Sequence, residues 1–152
     1  MKIGDITELT VYESWQTADL NSLVEELGDG CQATSHRVKA TIESDNSHLY
    51  VAVDSDTVNN SGSPVRIVAC ATLCVCQTPE MTIGTVEAVV VSPLYRGLHL
   101  GRAMMLHVIK EAKRMGVTDL HLTSSPKRLQ ANVLYRSLGF EKRDTNFYLM
   151  RL

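Results

Sequence analysis

The stretch from Glu87 to Ala103 limits what this chain can become more than any other. It reads EAVVV, then SPLY, then RGLHLGRA. A β-branched run, Val89 to Val91, enters a Ser92-Pro93 turn, passes through a short loop with Gly97 and Gly101, and continues as an amphipathic helix. Strand, loop and helix in that order form a cradle for an anion. The first N–H groups of a helix have no intrahelical partner, and the helix dipole places partial positive charge there. Small loop residues let a ligand approach that backbone, and Arg96 and Arg102 add full charges. The expected ligand carries phosphate.

The flanking segments predict an α/β (α+β) chain with a mixed, mainly antiparallel central sheet and helices on both faces. Ile6 to Tyr12 alternates as a first strand, and Thr17 is placed to cap a helix with Leu20, Leu23, Val24 and Leu27 on one face. Gly28 and Gly30 stop that helix, and Ser35 starts a second that carries Val38 and Ile42 inward. Strands follow at His48 to Asp54, Arg66 to Gln77 and Thr82 to Val91; the tract SDTVNNSGSP joins the first two as a hairpin loop. The Arg66 strand is apolar on both faces and is therefore central.

After the cradle, Leu100, Met104, Val108, Ala112 and Met115 share the inner side of a helix that ends at Gly116, with Arg102, Lys110, Lys113 and Arg114 in water. Val117 to Ser125 is the next strand. A strand, crossover helix, strand order makes it parallel to the Thr82 strand. Ser125 reads as the N-cap of a helix with Pro126 at its first position. LQANVLYRSL forms that helix, Gly139 closes it, and FEKRDTNFYLMRL supplies a last strand.

A length of 152 residues suits one domain, residues 1–152. A net charge of -2 supplies no field toward nucleic acid or an anionic membrane, so neither is an expected partner. No apolar run nears the roughly 20 residues of a membrane helix, and MKIGDITELT lacks a signal-peptide core, so the expectation is a cytoplasmic protein. Cys70, Cys74 and Cys76 fall on one strand with even spacing, and neither they nor Cys31 have the partner pair or His doublet of a metal site. They read as buried thiols acting as small hydrophobes, and no metal is expected.

YRGLHLGRAMM followed by NVLYRSLGF resembles the GNAT superfamily of acetyl-CoA dependent N-acetyltransferases, and the order of elements is similar over nearly the whole chain. The family pattern is Arg or Gln, two residues, Gly, one residue, then Gly or Ala. Arg96 and Gly101 fit it, while His99 stands where the middle Gly is usual. That departure is accommodated if His99 is exposed and ordinarily helical. The resemblance implies a sheet that splays between its fourth and fifth strands, with the coenzyme arm in the gap. It assigns pyrophosphate contacts, mostly through backbone N–H, to Arg96, Gly97, Leu98, His99, Leu100, Gly101 and Arg102. It assigns the arm's amides to Val89 and Val91, a hydrogen bond to the arm to Asn132, and a place near the thioester sulfur to Tyr135. A homodimer through the last strands is a further implication.

Acetyl transfer to an amine requires a neutral amine, a donor to the oxyanion and a proton for the thiolate. A backbone N–H near Val91 can serve the oxyanion. Tyr135, three residues from Asn132 on one helical face, has a reference pKa of about 10 against about 8.5 for a thiol, so it can hold a proton and deliver it. Glu87 is the candidate base, read as sharing the parity of Val89 and Val91; His36, His48 and His121 are weaker candidates. Lys127, Arg128 and Arg136 read as solvated helix charges. No cysteine stands in the cradle or on the NVLY helix, which favours direct attack on acetyl-CoA by a primary amine in a ternary complex. The alternative is a non-catalytic acyl-CoA-binding regulatory module. Nucleotide binding of the Walker type is a poor alternative because Arg102-Ala103 stands where Lys and Ser or Thr are needed.

Overall fold

Burial of β3 (Arg66–Gln77) on both faces sets the architecture. Ile67 through Ala71 and Leu73 are all buried, so each face of this strand needs a cover. The computed structural model describes residues 2–58, 62 and 65–152. The sheet runs β1 (Thr7–Glu8), β2 (Ser47–Asp54), β3, β4 (Thr82–Val91) and β5 (Asp119–Leu122) in spatial order. All neighbours are antiparallel except β4 and β5, which are parallel. On one face, α1 (Ser14–Val24) and α2 (Ser35–Ile42) bring Leu20, Leu23, Val38 and Ile42 onto Val51, Ile67, Cys70 and Val90. On the other, α3 (Leu100–Arg114) lays Met104, Met105, Val108 and Ala112 over Tyr50, Val68, Ala71 and Val86. The last helix, α4 (Leu129–Ser137), packs Leu134, Tyr135 and Leu138 against the rim of the α3 side.

Several boundaries differ from the sequence expectation for local reasons. The first strand shortens to Thr7–Glu8 because the chain leaves the sheet to cap α1. Glu13, not Thr17, is the N-cap: its N–H donates to Gln16 Oε1 at 3.0 Å in a capping box, while Thr17 Oγ1 pairs with Tyr12 Oη. Ser125 does not cap α4, since it heads a separate turn in which Arg128 N donates to Ser125 O at 3.0 Å. The expected strand after Gly139 is absent. Beyond Phe140, which donates to Tyr135 O, the tail meets no ladder, and Phe147, Tyr148, Leu149 and Met150 stand exposed. Of the cysteines only Cys70 is buried, and all four are free; Cys76 is exposed at the end of β3. The expected loop from Ser55 to residue 64 falls partly outside the described residues. Among the described residues no helix is long and apolar enough to cross a membrane.

The parallel pair depends on Gly84. It stands opposite Leu120, and a Cβ built on it meets Leu120 Cδ1 at 2.9 Å, Val117 Cγ1 at 3.0 Å and Leu73 Cδ1 at 3.2 Å. A side chain there wedges β5 from β4. Gly84→Ala should therefore destabilise the protein by about 1–3 kcal/mol, the usual cost of overpacking. Urea unfolding checks this; an unchanged midpoint would show that β5 yields without cost.

Candidate active site

The parallel ladder runs from Ile83↔Asp119 to Val86↔Leu122 and stops. Its end coincides with a bulge in β4. The register against β3 shifts between Cys70 and Thr72, and Ala88 there takes a left-handed φ of 51°, rare for a residue with a Cβ. The Cys70 thiol lies 3.6 Å from Ala88 O and donates to it; burial pushes that thiol up to about 12, so it keeps its proton.

The bulge corrects the parity read from the sequence. Glu87 pairs with Thr72 and Val90 with Cys70, so Glu87 lies on the α1 and α2 face with Val90. Val89 and Val91 pack on the α3 face. Glu87 and Tyr135 thus reach one cleft of about 660 Å³ from opposite faces of the sheet, with Ser124, Arg128 and Phe147 also in its walls. Tyr135 is half-buried, edge-on to Phe140 at 6.1 Å between ring centres, and burial raises its phenol above the ordinary value while Arg128 pulls slightly the other way. It stays protonated at neutral pH.

At the end of β4, Ser92 N donates to Val68 O at 2.9 Å, so by alternation the Val91 N–H points away from β3 into the gap. Val91 O accepts from Arg96 Nε at 3.2 Å. Arg96 Nη2 also meets Glu26 Oε2 at 2.8 Å, which ties the loop to the end of α1. Tyr95 anchors the loop from below: buried, it donates to Asp54 Oδ2 at 2.8 Å, while Lys2 N and Asp56 N donate to Oδ1. Those donors, Lys2 foremost, hold the Asp54 carboxyl below the usual range. Nothing in the sequence pairs Asp54 with Tyr95.

The cradle itself is open. Gly97 (φ 80°), Leu98 and His99 are exposed, Leu100 is buried and contributes only its backbone, and Gly101 has ordinary room beside Leu134 and Val91. His99 corrects a second expectation: it is exposed but left-handed, with φ 58° and ψ 12°, and it is the N-cap of α3 without a side-chain capping bond. The first N–H groups of α3 therefore face outward with no cap from that side chain, as a phosphate site requires. Arg102 turns aside to Ser137 Oγ at 3.0 Å. Asn132 Nδ2 donates to Ser125 O at 2.8 Å and Arg128 O at 2.9 Å, fixing the turn before α4. Arg128, read as a solvated charge, instead reaches across to Leu27 O and lines the cleft. Ser124, Arg128 and Phe147 were not assigned from sequence. β5 ends at Leu122, short of the Ser125 expected from the sequence, and leaves Ser124 beyond the ladder.

Comparison with known proteins gives the arrangement a family. A sequence model described as the acetyltransferase (GNAT) domain matches residues 45–142. A curated glucosamine 6-phosphate N-acetyltransferase of Trypanosoma brucei brucei is 34% identical over 89 residues, covering 55% of this chain and 57% of that protein. The chain thus spans little more than half the length of that relative. Among solved structures, an acetyltransferase of Trypanosoma brucei superposes with TM-score 0.75 at 21% identity, covering 99% of this chain and 100% of that one. A glucosamine-6-phosphate N-acetyltransferase of Arabidopsis thaliana gives 0.72 at 17% identity, covering 97% and 99%. At those identities the likeness is one of fold.

The left-handed residue at 99 makes a testable demand. A left-handed conformation costs a Cβ-bearing residue about 1–2 kcal/mol, and glycine escapes that cost. His99→Gly should leave stability equal or higher, whereas the β-branched His99→Val should lower it by about 1 kcal/mol or more. Thermal unfolding of the two variants decides; equal loss in both would mean that the imidazole itself stabilises the loop.

Proposed function

Because the chain belongs to the GNAT acetyltransferase family, we propose that it transfers the acetyl group of acetyl-CoA to the primary amine of an amino sugar, with glucosamine 6-phosphate as the acceptor, by direct attack in a ternary complex. The observation that carries this reading is one cleft, at the point where β4 and β5 part, that holds both Glu87 and Tyr135 and continues the strand that ends in the cradle. The named relatives from Trypanosoma brucei brucei and Arabidopsis thaliana support the acceptor class. Arg128 in the cleft wall supplies a cation for an anionic acceptor group.

The cradle fits a pyrophosphate on its own features: an open α3 N-terminus, Gly97 in a conformation glycine favours, and an exposed loop surface from Gly97 to His99. Bound acetyl-CoA supplies an acetyl group already activated as a thioester. The chain's residues do the rest. The N–H groups from Leu98 to Arg102 hold the pyrophosphate, Arg96 braces the loop through Val91 O and Glu26, and Arg102 swings from Ser137 Oγ to reach the ligand. The edge of β4 at Val89 and Val91 offers main-chain groups to the arm, and the Val91 N–H faces the reacting carbonyl. Asn132 keeps the turn before α4 in place, and its Oδ1 accepts from the arm. Glu87, on the α1 and α2 face, attracts the acceptor's ammonium and takes its proton directly or through water. Tyr135 Oη, on the opposite face, returns a proton to the departing sulfur.

Thiol release with acetyl-CoA and glucosamine 6-phosphate tests the activity, with glucosamine as the unphosphorylated control. Tyr135→Phe should lower kcat about 100-fold or more while acetyl-CoA affinity stays within about twofold, and Glu87→Gln should lower kcat/KM by a similar factor. Coenzyme binding without turnover on any amine, indifferent to Tyr135→Phe, would favour a regulatory module.

The reading includes a homodimer. Among the described residues β5 pairs on one side only, with β4, and the tail carries exposed Phe147, Tyr148, Leu149 and Met150, a run suited to strand addition on a second copy. Sedimentation should show a dimer, and removal of residues 144–152 should yield a monomer. A monomeric parent would sink this part alone.

A further inference from the structure

Two residues past the last ladder pair, each strand carries an anomaly. On β4 it is Ala88 with its left-handed backbone; on the β5 side it is Ser124, whose Oγ is buried without a hydrogen-bond partner among the described residues. A buried hydroxyl with no partner is costly in a folded protein, and native structures keep few of them. This one stands in the wall of the cleft that holds Tyr135. Leu122, which ends β5, packs with Tyr135 on the α3 side, so the chain that follows it borders the Tyr135 end of the gap.

The turn that follows cannot satisfy the hydroxyl. Ser125 O accepts from Arg128 N and Asn132 Nδ2, and Ser125 Oγ accepts from Lys127 N, so that turn is closed upon itself one residue beyond. The α4 side chain nearest in role, Asn132, is committed to the same turn through its amide nitrogen. What is left for Ser124 is whatever enters between the strands. A hydroxyl both donates and accepts, which suits a neutral amide better than a charge.

We propose that Ser124 is a coenzyme-positioning residue: its Oγ hydrogen-bonds the amide of the coenzyme A arm nearest the thiol, opposite the edge of β4. This rests on the acetyl-CoA reading above. An arm entering the gap parts the strands where the ladder has already ended and gives the hydroxyl its missing partner. Bound on both flanks, by β4 main chain and by Ser124, the arm is fixed in rotation, which sets its sulfur against Tyr135.

Calorimetric titration of the full chain with coenzyme A and, separately, acetyl-CoA tests this, alongside thermal unfolding of the free protein. Ser124→Ala should bind both about three- to tenfold more weakly, the loss expected for one neutral hydrogen bond, with a midpoint equal to or above the parent's. Ser124→Cys, similar in volume but a weak donor, should shift affinity in the same direction. Affinities within twofold of the parent overturn the proposal. So does a loss for acetyl-CoA alone, which places the hydroxyl on the acetyl group, and so does a fall in affinity and midpoint together in both variants, which marks a structural role. A parent that binds neither compound overturns the acetyltransferase reading itself, and this inference with it.

Discussion

The cleft proposed as the active site depends on where the parallel pairing of β4 and β5 ends. Up to Val86 and Leu122 the two strands are locked, with Gly84 letting Leu120 and Val117 close against the sheet. Beyond that pair the bulge at Ala88 turns β4's edge away, and the sheet opens. A left-handed alanine persists only where its surroundings impose it. Here they include the buried Cys70 thiol, which is kept protonated by burial and donates to Ala88 O. The opening is therefore built from the core of β3 outward rather than from the surface loops.

The same bulge divides the faces. Were β4 regular, Glu87 would point with Val89 and Val91 into the α3 side, and Glu87 and Tyr135 would share one wall. With one extra residue inserted, Glu87 moves to the side covered by α1 and α2, and Tyr135 remains on the side of α3 and α4. The two side chains then line one cleft from opposite faces. The cradle at the end of β4 is held in matching register by Tyr95 on Asp54 beneath it and Arg96 on Glu26 and Val91 beside it.

Much of this was legible in the sequence. β3 and β4 begin and end where their apolar patterning does, and the strand, helix, strand order forced the parallel pair. Long periodic segments carry that information locally. What was not legible is what no local pattern encodes. A bulge at Ala88 is imposed by the neighbouring strand, so parity counted through EAVVV misplaced Glu87. Asp54 and Tyr95 meet across 41 residues, and the sequence does not announce the pair. The tail pattern FYLM reads as a strand because strand propensity describes side chains, whereas a strand exists only with a ladder partner, and among the described residues the tail has none.

His99 shows how such local conflicts should be read. The family motif favours glycine there, and the left-handed backbone at φ 58° supplies the physical reason. A histidine at that position carries strain of about 1–2 kcal/mol, partly relieved because histidine visits this region more readily than most residues. Its neighbours show no compensating contact: the side chain is exposed and makes no capping bond. That strain, set at the mouth of an open helix N-terminus, agrees with the proposal that the backbone at His99 serves a ligand. In this chain the left-handed backbone is present without the glycine, so the dihedral angles mark the cradle where the motif's middle glycine is missing.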